Sequence, residues 1–156
     1  MSTKWQIEFV GEGQAARREA LLYHHTDGYP EFAMKKIRAF LAGAAERVTQ
    51  PPCLWWDSER VAACFVAASI GAYEAPSFDP NLKVGGGRKG QGNGSGIGIP
   101  DFQPCVELHG DIEYLYRICL GAPGQAKITT FSVGLADDGH PPPKLTRLGE
   151  ESFVAS

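Results

Sequence analysis

Histidine and aspartate keep close company in this chain of 156 residues. His24 and His25 precede Asp27, His109 precedes Asp111, and His140 follows Asp137 and Asp138. Imidazole and carboxylate held together can bind a divalent metal, or act as a general base and the group that orients it. If the segment around His25 and the turn at His109 converge at one sheet end, then His25, Asp27, His109 and Asp111 form one cluster. That cluster would suit a metal-dependent hydrolase or nuclease. The plainer use of the same residues is structural. Aspartate in Asp27-Gly28 and Gly110-Asp111 is turn chemistry, and a strand histidine commonly makes a local hydrogen bond. The expectation is therefore no catalytic residue and no cofactor, with a divalent metal as the alternative.

A second feature is the glycine-rich stretch 85–98, which carries Arg88 and Lys89. Gly85-Gly86-Gly87-Arg88-Lys89-Gly90 formally matches a dinucleotide fingerprint, but that motif needs a helix directly after it to hold the pyrophosphate. Gln91-Gly92-Asn93-Gly94 follows instead, and it cannot begin a helix. A long flexible loop is expected here, with Arg88 and Lys89 as a basic flap toward an anionic partner, or a simple tether. Cys53, Cys64, Cys105 and Cys119 show no Cys-x-x-Cys spacing, which disfavours zinc ribbons and thioredoxin-like sites. They read as reduced thiols. No Gly-x-Ser-x-Gly elbow marks a nucleophilic serine.

These residues must be positioned by elements that the pattern of apolar residues outlines. Trp5, Ile7 and Phe9 alternate with Gln6 and Glu8, the signature of a half-buried strand. A second strand at 20–25 puts Leu21, Tyr23 and His25 on one face, Leu22 and His24 on the other. Pro30 and Glu31 suit the first turn of a helix. Ile37, Phe40, Leu41, Ala44, Ala45 and Val48 then recur at helical spacing until Pro51-Pro52. A second helix begins near Asp57 or Ser58 and turns Val61, Cys64, Phe65 and Ala68 inward. Of the neighbours Trp55 and Trp56, one is expected to stay exposed. Val106 and Leu108 are expected to pair with 112–118 through a three-residue turn at His109–Asp111, which puts all their apolar residues on one face. A last strand at 128–133 should turn Phe131 and Val133 inward.

The expected fold is therefore α+β: a mainly antiparallel sheet of about five strands, in the order ββααβββ, with two helices on one face. Residues 1–135 make one domain, and 136–156 form an extended proline-containing tail. The composition, 43% hydrophobic and 21% charged, is that of a globular protein. A net charge of −3 disfavours a general nucleic-acid coat, which needs a basic surface. No apolar run has the roughly 18 residues of a membrane span, and no basic segment followed by an apolar run opens the chain. A cytoplasmic protein is the expectation.

Two segments, Leu22-Tyr23-His24-His25-Thr26-Asp27-Gly28-Tyr29-Pro30 and His109-Gly110-Asp111-Ile112-Glu113-Tyr114-Leu115-Tyr116, together resemble a family of small uncharacterised proteins of bacteria, archaea and their phages. The resemblance spans about residues 4–133 and implies no catalytic residues. It implies a phage or mobile-element origin, where small proteins often bind host machinery. The functional expectation is a non-catalytic binding module that acts on a host macromolecule, with a protein as its partner and its oligomeric state open. Its surface would comprise His25, Asp27, Tyr29, His109 and Asp111, with Arg88 and Lys89 on the flap.

Overall fold

The computed structural model describes residues 3–11, 17–48, 53–71, 102–134 and 143–155. The glycine-rich stretch with Arg88 and Lys89, and His140, lie outside the described residues. Eight elements follow in order: β1 (Trp5–Val10), β2 (Arg18–His24), α1 (Pro30–Val48), α2 (Ser58–Gly71), β3 (Gln103–Pro104), β4 (Tyr114–Leu120), β5 (Gln125–Gly134) and β6 (Lys144–Val154). One six-stranded sheet holds them in the order β3-β2-β1-β4-β5-β6. Every neighbouring pair is antiparallel except β1 and β4, which run parallel.

The helices form where the sequence says they should. Pro30 opens α1, and Ala33, Met34, Ile37, Leu41, Ala44, Ala45 and Val48 make its buried stripe. Asp57 caps α2, its Oδ1 accepting the Arg60 N–H at 2.9 Å. Both helices cover the sheet face presented by Trp5, Ile7, Phe9, Leu22, Tyr116, Ile118 and Ile128, and this is the core. Phe102 sits within it, edge-on to Trp5 and packed against Phe40 and Phe65. Trp55 is buried and donates its indole N–H to the Gln125 carbonyl at 2.9 Å, whereas Trp56 is exposed. No disulfide joins the four cysteines, each of which is half-buried.

Four expectations are corrected. Val106 and Leu108 belong to no strand, and Val106 is 91% exposed. Because β3 lies outside β2 while β4 lies beyond β1, residues 105–113 cannot turn back as a hairpin. They must cross β2 and β1, and they do so over the face opposite the helices. The half-buried reading of β1 is also corrected, since it is buried at every position: the crossing covers Gln6, while Arg18 and Arg117 close over Glu8. Phe131 and Val133 point away from the helices, since Phe131 pairs with Leu115, whereas Ile128 and Thr130 face the core side. Finally, the expected tail is paired: residues 144–154 are β6, bonded to β5 along its length, with Phe153 buried in the core. The sheet thus has six strands and is mixed.

Candidate functional site

Register decides which loops meet. Trp5 is opposite His24 on one side and opposite Tyr114 on the other. The segment that follows β2 and the segment that precedes β4 therefore flank the start of β1 at a single sheet end. Backbone bonds stitch this end together. Gly28 N donates to Thr3 O at 3.1 Å and Glu113 N donates to Lys4 O at 2.9 Å. The Trp5 indole N–H donates to Thr26 O at 2.7 Å, and the Tyr116 hydroxyl donates to Gly28 O at 2.7 Å. Such close approach requires glycine at position 28, where a Cβ would lie 2.8 Å from Trp5 Cδ1 and 2.9 Å from Thr3 O. Asp27 takes a left-handed φ of 56°, which aspartate tolerates better than most residues.

On the face away from the helices, Gln6 fixes the crossing segment. Its buried carboxamide donates to Cys105 Sγ at 3.0 Å and to Glu107 O at 3.2 Å, and it accepts the His109 N–H at 2.9 Å. His109 is thereby laid against Tyr23, their rings stacked with centroids 4.2 Å apart. His25 meets the same Tyr23 ring edge-on at 4.7 Å, with its Nδ1 3.4 Å from the Tyr23 hydroxyl. Burial pushes the Tyr23 phenol above its ordinary range, and the negative charge of Asp111 adds to this. Asp111 turns to Lys4, whose Nζ lies 2.5 Å from its Oδ2. That hydrogen bond holds the Asp111 carboxyl below the usual carboxylate range and raises Lys4. An open depression of about 460 Å³ runs along Glu107–Asp111.

The five described residues of the expected site thus share one sheet end, and all are exposed. They do not form one cluster. His25 and His109 are brought together on Tyr23 with Asp111 and Lys4 beside them. Tyr29 stands at the other corner, its ring 6.1 Å from Tyr114, and Asp27 occupies the turn. Among the described residues no three His, Cys, Asp or Glu side chains are placed to hold a metal ion. The set His25, Asp27, His109 and Asp111 is accordingly not assembled as a metal site.

His24 serves the core side instead. Its Nδ1 accepts the Thr26 N–H at 3.1 Å, and its ring packs between Trp5 and Phe102.

Sequence reasoning missed Lys4, Gln6 and Phe32. Phe32, 53% exposed, lies one helical turn from Tyr29, and its place off the Ile37–Leu41 stripe was a usable signal. Gln6 gave none, because a polar residue alternating with apolar ones reads as solvent-facing. A second recess, about 410 Å³, lies at the opposite end of β1 and β2, between Arg17, Arg18, Glu19, Trp56, Asp57, Ser58 and Glu59. The chain matches no protein-family model, no curated protein and no solved structure.

Proposed function

We propose that this protein is a non-catalytic binding module whose contact surface is the sheet end built on Thr3–Lys4. The observation that carries this reading is two exposed aromatics at the start of α1, Tyr29 just before it and Phe32 in its first turn. Tyr29 and Phe32 are 49% and 53% exposed, and the Phe32 N–H is bonded to the Tyr29 carbonyl at 2.9 Å. Exposed aromatics are what interfaces use as hot spots, because a large ring offers much contact area with only two side-chain torsions to immobilise. Half-buried Tyr114 stands beside Tyr29, and the polar set of His25, His109, Asp111 and Lys4 occupies the other corner of the same sheet end, so that the proposed contact surface has an apolar side and a polar side. His109 stacks on Tyr23, His25 meets the same ring edge-on and the Asp111 carboxylate is engaged by Lys4, an arrangement suited to recognition rather than proton transfer.

The partner in this reading is a protein of the host, as the resemblance to phage and prokaryotic proteins implies. The full chain is used as bait against host lysate, alongside Tyr29→Ala/Phe32→Ala and Trp56→Ala. The reading expects one prey protein to be enriched on the parent chain, with its affinity falling about tenfold or more for the double variant. Trp56→Ala should leave binding unchanged. Capture lost with Trp56→Ala and kept with the double variant would move the surface to the other end and sink the proposal. So would the absence of any prey sensitive to Tyr29 and Phe32.

A further inference from the structure

The sheet finishes differently on its two sides. One side closes on β3, two residues long, and the other on β6, eleven residues long and exposed over nearly all of them. β6 is bonded to β5 along one edge, so among the described residues its other edge offers a row of backbone N–H and C=O groups. Proteins guard such edges with charges and bulges, since any fitting strand can add to them. β6 has both, arranged so that one mate is admitted. Its cations, Lys144 and Arg147, lie in the first half, and its acids, Glu150 and Glu151, in the second. A bulge falls between Arg147 and Gly149, which face Phe131 and Thr130, and Leu148 at this bulge is 54% exposed.

We propose that β6 is a self-association edge, with the β6 strand of a second copy adding antiparallel about a two-fold axis near Leu148. Reversing direction sets the cationic half of each strand against the acidic half of the other. A parallel mate would oppose like charges, which destabilises cross-strand pairing. One segment serves both partners, as an isologous contact requires. Within one molecule Glu150 is shared by Arg147 and Lys127, and Glu151 is paired with Arg38. Exposed pairs of this kind are weak and can extend to a new neighbour at little cost. Each copy's β6 edge is used up by the two-fold contact and the opposite edge, β3, is only two residues long, which limits assembly to a pair. A single strand-to-strand contact is a small interface, so the dimer is weak and concentration-dependent.

Sedimentation velocity of the full chain from micromolar to millimolar concentration tests this. The expected result is a reversible monomer–dimer equilibrium. Arg147→Glu and Glu150→Lys should each weaken it about tenfold, because two symmetric attractions become repulsions. Mixing those two variants should restore the dimer, since an acidic strand then faces a cationic one. Leu148→Lys leaves every ion pair of the monomer in place and should also dissociate the dimer, by bringing two ammonium groups together at the axis. A monomer at all concentrations overturns the proposal, as does a dimer indifferent to these changes or a variant mixture that stays monomeric although both variants retain the parent circular dichroism.

Discussion

Lys4 and Asp111 are 107 residues apart in the chain and 2.5 Å apart in space. The Lys4 hydrogen bond lowers the Asp111 carboxyl from its ordinary 3.8. The contribution of that carboxylate to stability is therefore complete above the unfolded value and is lost as pH falls through the lower folded one. Lys4 is raised above 10.5 by the same bond, so its share is complete below that value and is lost as pH rises through the higher folded one. The stability difference between the parent and Asp111→Asn should be level from about pH 5 to 9 and shrink on both sides. Urea midpoints measured across the range check this, and a difference that persists unchanged into strong acid would contradict it. The sequence made Asp111 legible as a polar turn residue. It could not identify the partner, because any of its fifteen basic residues was available until register put Lys4 there.

The element that most shapes the candidate surface is the irregular crossing at 105–113. The buried Gln6 carboxamide makes three hydrogen bonds to it, at Cys105, Glu107 and His109. Gln6→Ala would leave the His109 N–H and the Glu107 carbonyl without their partner, and should cost about 2–3 kcal/mol in urea unfolding. Gln6→Glu keeps the acceptor for the His109 N–H but sets a buried carboxylate oxygen against the Glu107 carbonyl, and should cost at least as much as Gln6→Ala. The regular elements were legible. Helix α1 begins at Pro30 and ends at Val48, where the proline, the apolar stripe and Pro51-Pro52 put it, since those signals are local. The crossing was illegible for the opposite reason. Val106 and Leu108 alternate like a strand, and only the placement of β4 beyond β1 prevents the hairpin. Phe131 was assigned to the wrong face because its neighbour Leu115, also on the non-helical side, makes β4 apolar on both faces, and period two then gives no direction.

For the molecule as a whole, β6 closes the sheet rather than trailing from it. A chain ending after Gly134 would lose the burial of Phe153, the ladder with β5 and the Arg38–Glu151 pair, and would leave β5 as a new apolar-backed edge. Such a truncation should lower stability by about 3 kcal/mol or more and promote aggregation, read as a lower melting temperature and loss of the monomer peak in light scattering. A truncated chain that melts with the parent would show β6 to be dispensable. Composition, helix caps and the apolar stripes determined an α+β architecture with both helices on one face, because each of those signals acts within a few residues. The tertiary structure alone decided the strand order, the parallel junction of β1 with β4 and the identity of the second sheet face. It alone put His25 and His109 on one tyrosine while sending Asp27 and Tyr29 to the neighbouring corner. Those outcomes depend on which strands become neighbours, a choice set by the joint burial of residues a hundred positions apart, and no short-range pattern carries it.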